Sequence, residues 1–189
     1  EPYLASNLRS LPAMDFSRWV EYCNSPEGST TLAKQRAANG SPAPYDVKYW
    51  GVGNESWGCG GNFEPEEYAE EFRRFTTWVP HYGVPLSFVG SGPNDNNLEW
   101  TNGFFEALRR KNYMPRELHG WSVHYYTWNL SMGQTTDWVA GKRDALDFDE
   151  TGWYELFLQG LYMEEIVRAQ WGLLGEFDPG RNIKLVVDE

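Results

Sequence analysis

Cysteine, histidine and basic residues are all scarce in this sequence. Two cysteines, Cys23 and Cys59, cannot build a disulfide framework or a four-cysteine zinc site. The three histidines, His81, His119 and His124, lack the spacing of a helical metal-binding pair. Neither a metal nor a cofactor is therefore expected. The 16 Lys and Arg stand against 27 Asp and Glu, giving a formal net charge of -11. So acidic a chain lacks the basic face that phosphate demands, which argues against a nucleic-acid partner. No apolar run reaches the ~20 residues of a membrane-spanning helix, so no membrane partner is expected either. The run Gly58-Cys59-Gly60-Gly61 has no Lys-Ser/Thr pair after it and is not a phosphate loop.

Aromatic residues, by contrast, are plentiful: 10 Trp, 11 Tyr and 10 Phe. They serve a core, and they also suit stacking on the apolar faces of sugar rings. A length of 189 residues is ordinarily one domain. The chain opens on Glu1-Pro2-Tyr3 and stops at Glu189, directly after the apolar run Ile183 to Val187. It reads as an internal segment of a longer protein, so the absence of a leader leaves the compartment open.

Helical and extended patterns alternate along the chain. Phe16, Trp19, Val20 and Cys23 share a helical spacing between Pro12 and about Cys23. Glu64-Pro65-Glu66-Glu67 has a proline and acids at a helix start, continued by Tyr68, Phe72, Phe75 and Val79. Leu98 to about Lys111 reads as a helix, and Gly152 to about Leu174 as one long helix. Strands are expected over 46–53, 84–90, 118–126 and 183–188. Four strands joined by helices imply a parallel sheet. The polar stretch 127–151 breaks the alternation, as an insertion covering an active site does.

The stretch Trp50-Gly51-Val52-Gly53-Asn54-Glu55 carries the most chemistry. A carboxylate at the C-terminal end of a parallel strand is a candidate acid, nucleophile or metal ligand, because active-site loops converge there. Gly51 and Gly53 share strand parity with Glu55, which predicts room beside it. Asn54 offers an amide that donates to and accepts from a hydroxyl group. Glu189 also ends a strand, so both carboxylates can face one cleft. Two carboxylates about 5–5.5 Å apart give glycoside hydrolysis with retention, and wider spacing gives inversion. The alternative for Glu189 is a plain surface acid.

Alternation over Gly120 to Tyr126 puts Ser122, His124 and Tyr126 on one face. A tyrosine hydroxyl there can hold a nucleophilic carboxylate ionised, whereas His124 taken alone reads better as a core histidine satisfied by a neighbour. Asn94 to Asn97 reads as a turn with a helix cap. Trp57, Trp128 and Trp138 are candidates for sugar stacking or for core packing.

Tyr49 to Glu55, the helix Trp19-Val20-Glu21-Tyr22-Cys23-Asn24, His124-Tyr125-Tyr126 and the terminal Val187-Asp188-Glu189 together resemble glycoside hydrolase family 51. The resemblance runs in order over essentially the whole chain. It implies a (β/α)8 TIM barrel of which residues 1–189 cover roughly strands 3 to 7, without the flanking strands or the accompanying β-sandwich. It implies α-L-arabinofuranosidase activity on an arabinose-containing saccharide. Glu55 would be the acid/base and Glu189 the nucleophile. Asn54 would bind the sugar 2-hydroxyl, Tyr126 would hydrogen-bond the nucleophile, and His124 and Trp57 would line the site. Asn7 would have a supporting role. Similar proteins are often hexamers, which implies a homo-oligomer. The family also contains endo-β-1,4-glucanases and β-xylosidases, and a non-catalytic carbohydrate-binding protein is the reading from another class. A barrel segment with unpaired edges is expected to be inactive or unfolded alone.

Overall fold

The computed structural model describes residues 1–127, 146 and 148–189. Five strands, β1 (Tyr3–Ser6), β2 (Tyr49–Val52), β3 (Ser87–Gly90), β4 (Leu118–Val123) and β5 (Lys184–Val187), form one parallel sheet in sequence order. The crossovers carry α1 (Ala13–Asn24), α2 (Thr31–Ala38), α3 (Pro65–Thr76), α4 (Leu98–Arg110), α5 (Glu150–Gly160) and α6 (Tyr162–Phe177). This is part of a (β/α)8 barrel. Parallel neighbours require such crossovers, because the chain must return to the same end of the sheet.

The sheet is strongly curled. Four inter-strand steps would hold β1 and β5 roughly 19 Å apart if the sheet were flat. Yet the Tyr3 hydroxyl on β1 donates to Asp188 Oδ2 just past β5, at 3.3 Å. The inner face is kept narrow enough for this by small residues. A Cβ on Gly51 would sit 2.8 Å from the Tyr3 hydroxyl oxygen, and one on Gly120 would sit 2.9 Å from Val89.

The outer face of the sheet is buried under the helices. Trp50, Phe88 and Trp121 meet Phe16, Tyr68, Phe72, Phe104 and Phe105 in one cluster. Truncating such a ring costs roughly 3–5 kcal/mol. A buried polar chain links the helices to the sheet: the Trp121 indole N–H donates to Thr101 on α4, and the Thr101 hydroxyl donates to Gln170 on α6. Asn24, at the end of α1, both donates to and accepts from the backbone of Val47, at 2.8 Å each way. Trp50 Nε1 donates to the same Val47 carbonyl. The helix motif that marks the resemblance thus holds the approach to β2.

Several expectations need correction. β1 is a fifth strand that alternation did not reveal; it is four residues long and runs directly into a polar loop. α2 was not expected either, although Thr30 caps it by accepting from Ala33 N. The long helix is two helices that break at Gly160-Leu161. Glycine costs about 1 kcal/mol against alanine inside a helix, and α6, not α5, packs on α4. Trp128, Trp138 and most of the 127–151 stretch lie outside the described residues.

Candidate active site

β2 ends at Val52, and the chain then turns sharply. Gly53 has φ +86° and Glu55 has φ +44°. Left-handed backbone at a non-glycine residue is strained, and such strain gathers at functional sites. This overturns the parity argument, since strand alternation stops before Gly53. Gly53 provides the turn and leaves no room: a Cβ there would lie 2.5 Å from Ser56 Oγ. The turn is held from below by Tyr68 on α3, which is fully buried. Its hydroxyl donates to Val52 O and accepts from Ser91 N, each at 2.6 Å, which ties the ends of β2 and β3 together. Burial pushes the Tyr68 phenol far up, so it stays a donor. Ser91 Oγ then accepts from Ser56 N.

After Glu55 the loop folds back on itself. Gly58 N and Gly60 N both donate to Glu55 O, and Phe63 N donates to Ser56 O. A Cβ on Gly60 would fall 1.6 Å from Asn54 O, so only glycine allows this approach. The fold-back brings Cys59 Sγ to 3.1 Å from Glu55 Oε2. Its hydrogen bond to Glu55 pushes the Cys59 thiol up, so it is a protonated donor. The glycine-rich run was legible in the sequence, but its purpose was not.

Across the cleft, His124 follows β4 and is almost fully buried. Its Nδ1 lies 3.3 Å from Glu55 Oε1 and 3.5 Å from Glu189 Oε2, and its Nε2 lies 3.4 Å from Asp188 Oδ1. Burial alone would push His124 down. Hydrogen bonds to Asp188 and Glu55, with the charges of Asp188 and Glu189, outweigh it and leave the imidazole above its ordinary value. Only the cationic form can donate from both nitrogens. Asp188 and Tyr3 complete the clasp on the far side. Neither had been given this part, because their contact links positions 185 apart.

Glu189 is held differently. It follows β5, its backbone carbonyl accepts from Tyr125 N, and its carboxylate accepts from the Tyr126 hydroxyl. That hydrogen bond pushes the Tyr126 phenol up to about 12. The closest donor atoms of Glu55, His124 and Glu189 all lie within 4.8 Å of one another. This is also the one trio of described side chains close enough to share a cation. As a pair, two carboxylates at this spacing can flank a glycosidic bond from both sides.

Of the remaining expected residues, Asn54 is exposed and lines a cavity of about 440 Å³ with Asn7, Arg9, Ser10 and Cys59. Asn7 is occupied locally: its Oδ1 accepts from Arg9 N and Ser10 N. Trp57 is partly buried against the core, and its indole donates to Gly92 O, which makes it a strut between the loops after β2 and β3. Asn97 caps α4 by accepting from Trp100 N.

Residues 5–137 match the model of the alpha-L-arabinofuranosidase 1 domain. The intracellular exo-alpha-L-arabinofuranosidase of Bacteroides ovatus is 33% identical over 190 aligned positions, covering 100% of this chain and 34% of that protein. The solved structure of the GH51 arabinofuranosidase from Xanthomonas axonopodis pv. citri superposes with TM-score 0.83 at 32% identity, over 98% of this chain and 35% of that one. The alpha-L-arabinofuranosidase of Thermotoga maritima, solved as an arabinose complex, has the same fold, with TM-score 0.72 at 24% identity over 100% of this chain and 34% of that one. The chain thus spans about one third of the length of these relatives.

Proposed function

Because the chain belongs to the alpha-L-arabinofuranosidase 1 domain family, within glycoside hydrolase family 51, we propose that it carries the catalytic carboxylate pair of a retaining glycoside hydrolase. On this reading residues 1–189 are part of the catalytic barrel of a longer enzyme. The substrate is a polysaccharide or oligosaccharide with terminal α-L-arabinofuranosyl residues. The observation that carries the reading is the proximity of Glu55, His124 and Glu189, whose nearest side-chain atoms lie within 4.8 Å. That closeness favours a covalent intermediate over direct attack by water between the carboxylates.

Glu189 attacks the anomeric carbon while Glu55 delivers a proton to the departing oxygen, which leaves as an alcohol. A glycosyl ester on Glu189 results. Glu55 then takes a proton from water as the water attacks the anomeric carbon, releasing arabinose and restoring both groups. The Tyr126 hydroxyl, donating to Glu189, keeps that carboxylate aimed and ionised. Asn54 faces the cavity, where its amide suits a sugar hydroxyl. No step draws on a metal or cofactor.

The test uses the full-length protein. Glu55→Ala should lower turnover of natural arabinosides by about 10²–10⁴-fold, the usual worth of a positioned acid/base. It should spare formation of the intermediate from a 4-nitrophenyl arabinoside, and azide should then rescue release as the glycosyl azide of retained, α configuration. Glu189→Ala should be inactive on both substrates. Undiminished hydrolysis of natural arabinosides by Glu55→Ala would refute the assignment.

A further inference from the structure

The two oxygens of Glu55 stand in unequal surroundings. Oε1 faces His124 Nδ1 at 3.3 Å, and Oε2 faces Cys59 Sγ at 3.1 Å. The imidazole, flanked by Glu55, Asp188 and Glu189, carries its donors towards these carboxylates. A proton placed on Oε1 would point at an N–H. A proton placed on Oε2 points at sulfur, a weak acceptor that releases it easily. Cys59 is also exposed and lines the cavity beside Asn54, so Oε2 is the oxygen on the open side of the cleft.

We propose that Cys59 is a positioning residue that makes Oε2 the proton-carrying oxygen of Glu55. The inference rests on the reading of Glu55 as the proton donor. When Glu55 is protonated, its O–H rests against Cys59 Sγ and swings from there to the leaving oxygen. Once the proton is gone, the thiol S–H donates to Oε2 and keeps the carboxylate from rotating before water arrives. The backbone is built for this. Gly60 packs against Asn54 O, and Gly58 N and Gly60 N both hold Glu55 O, which fixes the thiol four residues ahead in reach of its partner. Sulfur suits the position because it holds a proton less firmly than a hydroxyl or an amide would. The other thiol, Cys23, is buried in the core, where burial pushes it up to about 11, and it takes no part.

Two substitutions in the full-length enzyme, Cys59→Ala and Cys59→Ser, test the proposal on a pair of substrates that differ only in the leaving group. Cys59→Ala should lower kcat/KM by about 3- to 10-fold on an alkyl or oligosaccharide arabinoside, the effect of losing one modest hydrogen bond. It should change the 4-nitrophenyl arabinoside less than 2-fold, since a leaving group that departs unaided needs no proton. A donor to the ionised carboxyl favours that form. The alkaline limb of kcat/KM should therefore move up in Cys59→Ala, and down in Cys59→Ser, whose hydroxyl is the stronger donor. Because Cys59 is exposed, both variants should keep the parent Tm. Equal effects on the two substrates, or an unmoved alkaline limb, would overturn the role of Cys59. Glu55→Ala run beside them separates the two readings: if it cleaves natural arabinosides normally, the proton-donor assignment fails and this inference fails with it.

Discussion

The loop after β2 and the tail of β5 each bring one glutamate to the same cleft, and they hold it in opposite ways. Glu55 stands on left-handed backbone, inside a turn that Gly53 and Gly60 make possible, with a partner on each carboxylate oxygen. Glu189 follows the end of β5 on unstrained backbone, and both its side-chain partners, the Tyr126 hydroxyl and His124 Nδ1, meet one oxygen, Oε2. On the reading proposed here the difference follows from the work. A group that loses and regains a proton must present a defined oxygen at both stages, so its rotation is restrained. A group that forms one bond to carbon needs an ionised oxygen in line and little else. Strain and close packing are accordingly spent on Glu55 alone.

Substitutions in the full-length enzyme can break this contrast. The largest expected effect is that of Gly60→Ala. Its methyl group would meet Asn54 O at 1.6 Å, so the loop must move and carry Glu55 with it. Displacement of about 1 Å at a reacting group costs on the order of 10²-fold. The loss should appear in kcat/KM on natural arabinosides, while azide release from the 4-nitrophenyl substrate should persist, because Glu189 stays put. If both reactions die together, the two carboxylates are not independently mounted.

Tyr126→Phe should act on the other side. Removing one hydrogen bond to a charged group is worth about 10-fold, and here it should fall equally on both substrates, since Glu189 attacks the same anomeric carbon whichever group departs. A loss confined to poor leaving groups would contradict that division.

The smallest effect concerns His124, which both sides share. Its folded pKa is raised above the ordinary value of 6.5, so its contribution to stability is complete below pH 6.5. That contribution fades as pH rises through the folded value. In urea titrations, the stability gap between the parent and His124→Gln should therefore be widest in mildly acidic buffer and shrink towards alkaline pH. A gap that widened with pH would mean that the imidazole is held neutral.

Much of this arrangement was legible in the residues. Helical spacing gave α1 and α4 within a residue or two and α3 with its end three residues too late, at Val79 for Thr76, because each buries one aromatic stripe. The apolar runs gave β2 to β5. The structure also brings Glu55, His124, Tyr126 and Glu189 to one cleft, as their places at strand ends suggested, although β2 ends at Val52 and β4 at Val123, so strand parity does not carry Glu55 or Tyr126 there. What stayed hidden depends on closeness in space. β1 is too short to show a period, and its Tyr3 matters only because the sheet curls until it meets Asp188. Cys59 stood in a glycine run read only as lacking the mark of a phosphate loop, since nothing in the letters says that the run folds back on Glu55. Gly53 was read for space when the backbone needed it for direction.

The Tyr3–Asp188–His124 clasp also has a meaning in time. It joins the first described strand to the residue just beyond the last, across nearly the whole length of the chain. Contacts so distant carry the highest closure entropy and form late in folding. The aromatic layer outside the sheet can assemble from neighbouring helix–strand units well before that. A nascent chain emerging from the ribosome thus holds Glu55 with no carboxylate opposite it until β5 has joined the sheet.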